Sequence, residues 1–322
     1  MGGFEMKIVI MDGSAANPGD TSWQPFEEIG EVIAYDVTST DQIIERAKDA
    51  EIVITNKTPF TKETLEALPN LKYIGVLATG YNVIDLEAAA NLGIVVTNVP
   101  EYGTYATMQH TFALLLELTN HVALHSNSVM DGDWIKSPQF CYWKAPLMEL
   151  WGKTIVVVGY GKIGRRVCDT AKAFGMNVIA VPHHMPEHQE EGITFLPFEE
   201  AIPKADIISL HAPLTPDTKD LINKTTISKM KKSVLIINAA RGPMVNEADV
   251  REALEQGYIA GYAADVISTE PMISDNPLMG APNCILTPHI AWAPKETRER
   301  LIDVAADNIK SYLKGNPINK VN

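Results

Sequence analysis

A glycine-rich turn lies between the pattern of a buried strand and the pattern of an amphipathic helix, and few folds accommodate that combination. Residues 155–158 are all β-branched and apolar, as in a parallel strand covered on both faces. Gly159, Gly161 and Gly164 follow with the spacing G-x-G-x-x-G, and the helix pattern after them ends at Gly175. In this setting the glycines permit a tight turn, close approach of the backbone to a pyrophosphate, and close packing of helix on strand. The segment therefore predicts a dinucleotide-binding unit.

Short apolar strand patterns alternate with helix patterns throughout the chain. In the first third of the chain they fall at 7–11, 32–35, 51–55, 73–77 and 94–97. After residue 150 they fall at 154–158, 177–181, 206–210, 234–238, 259–265 and 284–287. Such alternation is typical of parallel sheets with helices on their faces. We predict an α/β protein with two doubly wound parallel-sheet domains, a Rossmann nucleotide-binding domain and a flavodoxin-like substrate domain.

The order of these patterns also predicts how the chain is divided. A length of 322 residues is typical of two domains. An amphipathic helix pattern at 295–314 is expected to return to the first sheet. The predicted substrate-binding domain is therefore discontinuous and comprises residues 1–103 and 294–322. Residues 104–293 form the predicted nucleotide-binding domain.

A long helix pattern at 105–123 is followed by an aromatic and polar segment, residues 134–151, that has no regular period. We interpret this segment as an irregular arm that contacts a second copy of the chain. Closed two-fold dimers are the commonest symmetric assemblies, so a homodimer is the expected state.

The composition argues against several classes of function. The formal net charge is −13, so binding to nucleic acid or to an anionic membrane surface is not expected. Cys141, Cys168 and Cys284 form no C-x-x-C pair or zinc spacing, so no metal is predicted and the set fits a reducing compartment. No apolar run reaches the roughly 18 residues of a spanning helix, and a signal-peptide pattern is absent. We expect a cytoplasmic protein without a membrane partner.

One element of the dinucleotide pattern is missing. An acidic residue is expected about 20 positions after the glycines, where it would bind the adenosine ribose. Here the strand pattern at 177–181 leads into Pro182, His183 and His184, and the first carboxylate after it is Glu187. This change removes repulsion of a 2′-phosphate but supplies no arginine to attract one. NAD is the predicted cofactor, and tolerance of NADP is left open.

Three ionisable residues follow three consecutive strand patterns. They are Arg241, Glu270 and His289, and the carboxyl ends of parallel strands meet at one edge of a sheet. Arginine can hold a carboxylate with two hydrogen bonds, and histidine can donate a proton to a carbonyl oxygen near neutral pH. A carboxylate beside the histidine favours its protonated form. Taken alone, each residue could equally be a charged loop residue without a catalytic role. The three together predict an active site.

The chain resembles the D-isomer-specific 2-hydroxyacid dehydrogenases over nearly its whole length. The likeness lies in the glycine turn and in the segments 174–176, 211–215, 238–242, 265–266, 270–271 and 287–292. The resemblance implies that Arg241 binds the substrate, that His289 is the acid/base, and that Glu270 pairs with His289. It also implies that the segment 77–82 binds the substrate carboxylate through the amides of Thr79 and Gly80.

The resemblance further implies a set of cofactor-binding residues. Asp265 is expected at the nicotinamide end, with Thr111 and Ala239 lining the cofactor site. The full implied set is Thr111, Gly159, Tyr160, Gly161, Lys162, Ile163, Gly164, His183, His211, Ala212, Pro213, Ala239, Asp265 and Ala291.

Within the family, the segments 77–82 and 289–293 look most like those of glycerate dehydrogenases, which are hydroxypyruvate reductases. The implied partner is a small 2-keto or 2-hydroxy acid. Glu270 argues against formate oxidation, since formate dehydrogenases of this fold have glutamine there. Another D-2-hydroxyacid dehydrogenase, of glyoxylate, D-lactate or phosphoglycerate type, and a dinucleotide-sensing binding protein remain alternatives. Lys57 is interpreted as a solvated loop lysine rather than a substrate ligand.

Overall fold

The strands of this protein are short and apolar, and they pair in parallel within two sheets. The computed structural model describes residues 6–188 and 190–322. One unit holds the residues up to Gly103 together with Trp292–Asn322, and the other is Thr104–Ala291. The chain thus returns to the first unit at Trp292 rather than at the predicted residue 294. The functional role of each unit stays a prediction.

The described residues contain the following elements. The strands are β1 (Lys7–Ile10), β2 (Glu31–Ala34), β3 (Ile52–Thr55), β4 (Tyr73–Val76), β5 (Val95–Thr97), β6 (Thr154–Val158), β7 (Asn177–Val181), β8 (Ile193–Phe195), β9 (Ile207–Leu210), β10 (Leu235–Asn238), β11 (Gly261–Ala264) and β12 (Cys284–Leu286). The α-helices are α1 (Gln24–Glu27), α2 (Ile43–Ala47), α3 (Lys62–Glu66), α4 (Leu86–Asn91), α5 (Thr104–Asn120), α6 (Val122–Met130), α7 (Asp133–Lys136), α8 (Lys162–Ala173), α9 (Phe198–Ala201), α10 (Lys224–Ile227), α11 (Glu247–Glu255) and α12 (Lys295–Leu313).

The first unit holds a five-stranded sheet in the order β2-β1-β3-β4-β5, which is the flavodoxin-like order. Successive residues of β3 point to opposite faces of this sheet. Val53 packs in one apolar cluster with residues of α2, α3 and α4. Ile52 and Ile54 pack in the other with Phe26 of α1 and Leu301 of α12. Helices therefore cover both faces, and the doubly wound prediction for this unit is confirmed.

The second unit holds a seven-stranded parallel sheet in the order β12-β11-β10-β9-β6-β7-β8. This is the Rossmann order with one further strand, which confirms the predicted fold. The direction of winding changes between β6 and β9, which pair directly. In open sheets of this kind, ligands bind beyond the carboxyl ends of the strands at that point. The glycine-rich turn follows β6 and therefore lies there.

Some predictions for the second unit were wrong in detail. The sequence predicted six strands, but β8 is a seventh, and it pairs with β7 at the edge of the sheet. Strand β11 is shorter than the predicted 259–265. The long helix pattern at 105–123 is divided, because His121 has a left-handed backbone (φ 48°) between α5 and α6. No helix in the described part of the chain is long and apolar enough to cross a membrane.

Candidate active site

The turn after β6 is shaped by its glycines. Gly159 has φ 96°, and a Cβ there would lie 2.5 Å from the backbone nitrogen of Ala212. A Cβ at Gly164 would lie 1.9 Å from the carbonyl oxygen of Gly159. Contacts within the protein thus require glycine at both positions, because either side chain would collide with backbone.

Gly161 differs from its two neighbours. No heavy atom lies within 4 Å of the position its Cβ would take, and its backbone is extended (φ −82°, ψ −164°). Nothing inside the described protein therefore requires glycine here. Gly161 is the N-cap of α8, whose first amides are a ready anion site. The open position at this Cβ leaves an anion such as a pyrophosphate room to approach the backbone at the start of α8.

A polar cluster lies beside the turn. The hydroxyl of Tyr160 donates to Glu190, and Arg165 Nη1 donates to the same carboxylate over 2.7 Å. The Arg165 guanidinium stacks over the Tyr160 ring at 4.2 Å. The hydrogen bonds from Tyr160 and Arg165 lower the pKa of Glu190 below its ordinary value. His183 is exposed at the end of β7 and contacts His184, with ring centroids 4.2 Å apart.

His211 follows β9, next to the glycine turn. Its Nε2 lies 2.7 Å from the hydroxyl of Ser209, and its Nδ1 is buried without a hydrogen-bond partner in the described protein. Burial lowers the pKa of His211 to about 3, so the ring is neutral at physiological pH. An unsatisfied buried ring nitrogen is costly unless a ligand completes it. Ala212 and Pro213 continue the segment and are partly to fully exposed.

Asp265 follows β11 and is buried. Its carboxylate accepts the hydroxyl of Thr287 at 2.6 Å and the amides of Ile290 and Ala291 at 2.9 and 2.7 Å. His110 Nε2 lies 3.3 Å from the same carboxylate. Burial raises the pKa of Asp265, but hydrogen bonds from these groups together lower it by more, and the net pKa is below its ordinary value. Asp265 thus holds the segment that carries His289.

Arg241 follows β10 in a turn that is fixed by its neighbours. The buried Asn238 side chain donates to the carbonyl of Arg241 at 2.9 Å and accepts the amide of Ala240 at 3.1 Å. The Arg241 side chain is exposed, and its Nη1 donates to the carbonyl of Ala240 at 2.7 Å. Among the described residues, its other guanidinium nitrogens have no acceptor. The fork is therefore available to a carboxylate or carbonyl oxygen.

Glu270 and His289 form a close pair. His289 Nδ1 lies 2.6 Å from Glu270 Oε2, and both side chains are 35% exposed. Glu270 Oε1 accepts the amide of Ile267 at 3.2 Å. His289 has φ 55°, which is uncommon for a residue other than glycine and is a feature of functional sites. Because Nδ1 faces Glu270, Nε2 is the ring atom left for a ligand.

The first unit carries the predicted substrate loop. Thr79 and Gly80 follow β4, and the described hydrogen bonds leave both amides without an acceptor. The Asn56 side chain donates to the carbonyl of Leu77 at 2.6 Å and so ties this loop to the segment after β3. Two neighbouring amides without an internal acceptor can hold an anion.

Asp12 fixes the segment after β3. Its carboxylate accepts the amides of Asn56, Lys57 and Thr58 at 2.7, 2.6 and 2.8 Å. Lys57 itself is exposed, as its interpretation as a loop lysine requires. Sequence reasoning missed Asp12, because its partners lie more than 40 positions away.

The remaining predicted cofactor residues differ in exposure. Thr111 is buried in α5, and its hydroxyl donates to the carbonyl of Thr107 at 2.8 Å. Ala291 is buried next to Asp265, whereas Ala239 is half-buried at the end of β10. Lys162 is exposed and Ile163 half-buried at the start of α8. The binding role of each residue stays a prediction.

Comparison with known proteins identifies the family. The family described as "D-isomer specific 2-hydroxyacid dehydrogenase, NAD binding domain" matches residues 112–291, most of the second unit and more than half of the chain. The chain belongs to this family. It therefore carries an NAD-binding domain and acts as a D-2-hydroxyacid dehydrogenase.

Individual relatives match this chain over almost its whole length. A hydroxypyruvate reductase of Blautia hydrogenotrophica is 47% identical, over 98% of this chain and 100% of its own. A glycerate dehydrogenase of Methylorubrum extorquens is 39% identical, over 98% of both chains. The crystal structure of the TT0316 protein from Thermus thermophilus has a TM-score of 0.86 and 32% identity, and the match covers 98% of this chain and 100% of that one. The likeness thus includes both units.

Proposed function

We propose that the protein reduces hydroxypyruvate to D-glycerate with NADH. The observation that carries the chemistry is the 2.6 Å contact between His289 Nδ1 and Glu270 Oε2, with the available fork of Arg241 on the neighbouring turn. The choice of substrate rests on the two relatives named for hydroxypyruvate and glycerate, which match this chain over almost its full length.

His289 is the proposed proton donor. Its Nδ1 faces the Glu270 carboxylate, so Nε2 carries the proton that moves to the keto oxygen. The Glu270 carboxylate orients the ring through Nδ1 and leaves Nε2 as the nitrogen that can exchange a proton with the substrate. In the reverse direction the same nitrogen accepts the proton of the alcohol.

Arg241 is the proposed ligand of the substrate's carboxylate and keto oxygen. The planar guanidinium can donate two parallel hydrogen bonds and can polarise the carbonyl next to the carboxylate. For the first unit we propose that the amides of Thr79 and Gly80, which have no acceptor among the described hydrogen bonds, bind a carboxylate group.

The proposed cofactor ligands are the residues of the glycine turn, from Gly159 to Gly164, with Asp265 toward the nicotinamide. NADH, when bound, supplies the two electrons that reduce the keto carbon. The space in front of Gly161 and the amides at the start of α8 are the features that favour a pyrophosphate here.

We propose NAD rather than NADP as the preferred cofactor. Arg165, near the start of α8, is a cation beside the glycine turn that could attract a 2′-phosphate, but its charge is paired with Glu190 at 2.7 Å. Glu190 also places a negative charge beside Tyr160. Both features disfavour a second phosphate.

A homodimer through residues 122–151 is the proposed assembly. Large apolar side chains in this region are exposed, among them Ile135 at 89% and Phe140 at 87%. Exposed apolar groups in such numbers mark a protein contact. Sedimentation velocity would show a dimer for the wild-type chain and a monomer for Ile135→Arg, whereas a monomeric wild type would contradict the proposal.

The test of the proposed reaction is the rate of NADH oxidation by the purified protein. Hydroxypyruvate is compared with glyoxylate, pyruvate and 3-phosphohydroxypyruvate, and the series is repeated with NADPH. The highest kcat/KM is expected for hydroxypyruvate with NADH. Preference for another keto acid would reject the substrate but keep the acid/base assignment. NADH binding without turnover of any keto acid would favour a dinucleotide-sensing binding protein.

A further inference from the structure

Glu247 is a buried carboxylate outside the proposed reacting groups. It is the first residue of α11, and its side chain is only 8% exposed. A buried charge is costly unless hydrogen bonds satisfy it. Here Oε1 accepts the amide of Ser268 at 2.7 Å. Oε2 accepts the Ser268 hydroxyl at 2.7 Å and the side-chain amide of Asn276 at 2.9 Å.

All three donors come from the segment that carries Glu270. This segment, residues 265–283, contains no helix or strand, so no backbone ladder fixes its shape. Glu247 binds it at Ser268, before Glu270, and at Asn276, after it. Asn276 in turn accepts the amide of Leu278 at 2.9 Å. The ends of the turn around Glu270 are thus held by one side chain.

The same segment also packs against the turn of Arg241. A Cβ at Gly242 would lie 1.9 Å from the carbonyl carbon of Ile267 and 2.4 Å from the nitrogen of Ser268. Glu270 Oε1 accepts the amide of Ile267, so the packed residue also orients the carboxylate. A shift of Ser268 would therefore move Ile267 and the Glu270 carboxylate together.

We propose that Glu247 is a positioning residue that holds Glu270 against His289. It touches neither substrate nor cofactor and acts through the hydrogen bonds to Ser268 and Asn276. The inference rests on the proposed function, since it assigns a purpose to the Glu270–His289 pair.

Several titratable groups face this arrangement. Burial raises the pKa of nearby Tyr262, and the charge of Glu247 raises it further, so Tyr262 stays neutral. Among the described residues, Glu270 contacts His289 directly, Asp265 accepts the amide of the next residue, Ile290, and His110 lies 3.3 Å from the Asp265 carboxylate. Arg241 lies on the neighbouring turn. Glu247→Gln removes a negative charge as well as hydrogen bonds, and this loss of charge can itself shift the pH profile. Ser268→Ala changes no charge and is therefore assayed beside it, so that a shift shared by both variants reports a moved Glu270.

The experiment compares Glu247→Gln with Glu270→Gln and with a matched control. Glutamine keeps the acceptor for the Ser268 amide but presents an NH₂ group to Asn276, whose side chain is also a donor there. The control is Glu252→Gln on the same helix, an exposed residue paired with Lys224 at 2.8 Å. Each variant is assayed for hydroxypyruvate reduction from pH 5 to 10, and its folding is checked by thermal unfolding.

We expect Glu247→Gln to lower kcat about 10-fold, since small misplacement of catalytic groups is costly. The alkaline midpoint of its kcat/KM profile should move to lower pH, in the same direction as that of Glu270→Gln, because both changes weaken the contact between the carboxylate and His289. The double variant should have the midpoint of Glu270→Gln alone, because both changes act through one pair. Glu252→Gln should match the wild type in kcat and in midpoint.

An unmoved midpoint in folded Glu247→Gln, or a further shift in the double variant, would overturn the inference. If Glu247→Gln does not fold, Ser268→Ala decides, because it removes a single hydroxyl donor. A downward midpoint supports the inference, and a wild-type midpoint rejects it. Failure of the proposed function has a different result, since the wild type would then reduce no keto acid or Glu270→Gln would leave the profile unchanged.

Discussion

Gly161→Ala tests whether the glycine at this position is needed for folding or for cofactor binding. Glycine at 159 and 164 is required by contacts within the protein, but the position of a Cβ at 161 is open and its backbone is extended. Alanine can adopt that backbone without strain. The variant should therefore fold normally and bind NADH poorly.

The sizes of the two effects follow from the structure. For folding, alanine reduces the entropy of the unfolded chain, which stabilises by about 0.4–1 kcal/mol. It is also a poorer N-cap than glycine by roughly 0.5–1 kcal/mol. The two terms oppose each other, so the net change is within about 1 kcal/mol. Gly164→Ala would place a Cβ 1.9 Å from a carbonyl oxygen and should cost about 3 kcal/mol or more.

For binding, a methyl group at 161 keeps a phosphate away from the amides of α8. A lost hydrogen bond to a charged group is worth about 1.5–3 kcal/mol, which is roughly 10- to 150-fold in Kd. Fluorescence titration with NADH gives Kd, and a thermal scan without ligand gives Tm. NADH affinity equal to wild type in Gly161→Ala, or a loss of Tm as large as in Gly164→Ala, would refute the reasoning.

Three further predictions concern charge. Arg241→Lys keeps the charge but loses the planar fork, so kcat/KM for hydroxypyruvate should fall about 100-fold, and near-normal turnover would contradict the assigned role. Glu190→Ala frees Arg165, so the ratio of the NADPH to the NADH Kd should fall several-fold in titrations, and an unchanged ratio would count against the cofactor argument. Burial lowers the pKa of His211 from 6.5 to about 3. Between these two pH values His211 is therefore protonated in the unfolded chain and neutral in the folded chain. The free energy of unfolding should therefore fall as pH drops below 6.5, by up to about 1.4 kcal/mol per pH unit. Urea unfolding at a series of pH values should show a weaker dependence of this free energy on pH for His211→Gln than for wild type, and an equal dependence would contradict the prediction.

Strands buried on both faces could be predicted closely from the sequence. The bounds of β6 and β7 agree with the predicted 154–158 and 177–181, because a strand covered by helices is a continuous apolar run. The edge strand β8 was missed because its three residues, Ile-Thr-Phe, are too short for a pattern to be visible. The break at His121 was missed for a different reason: a histidine in the sequence does not indicate a left-handed backbone, whereas a glycine does.

The proposed reacting residues could be predicted because each follows a strand, and parallel strands end at one edge. The pairing of His289 with Glu270 at 2.6 Å agrees with the expectation from the resemblance. The groups that hold them could not be predicted. Glu247 opens a helix, where an acidic residue is ordinarily explained by the helix dipole, and its partner Ser268 lies 21 positions away.

Asp12 and Glu247 show what the sequence pattern leaves undetermined in each unit. Each carboxylate accepts three hydrogen bonds from a segment that follows a strand, and each such segment lies beside a proposed ligand-binding group. A strand end places a loop at the correct edge of the sheet, but the loop's shape needs a further constraint, because no ladder continues there. A carboxylate can supply it, since its two oxygens accept several donors at once. The position of a catalytic residue along the chain is therefore a property of the fold, whereas its exact orientation depends on acids that take no part in the reaction.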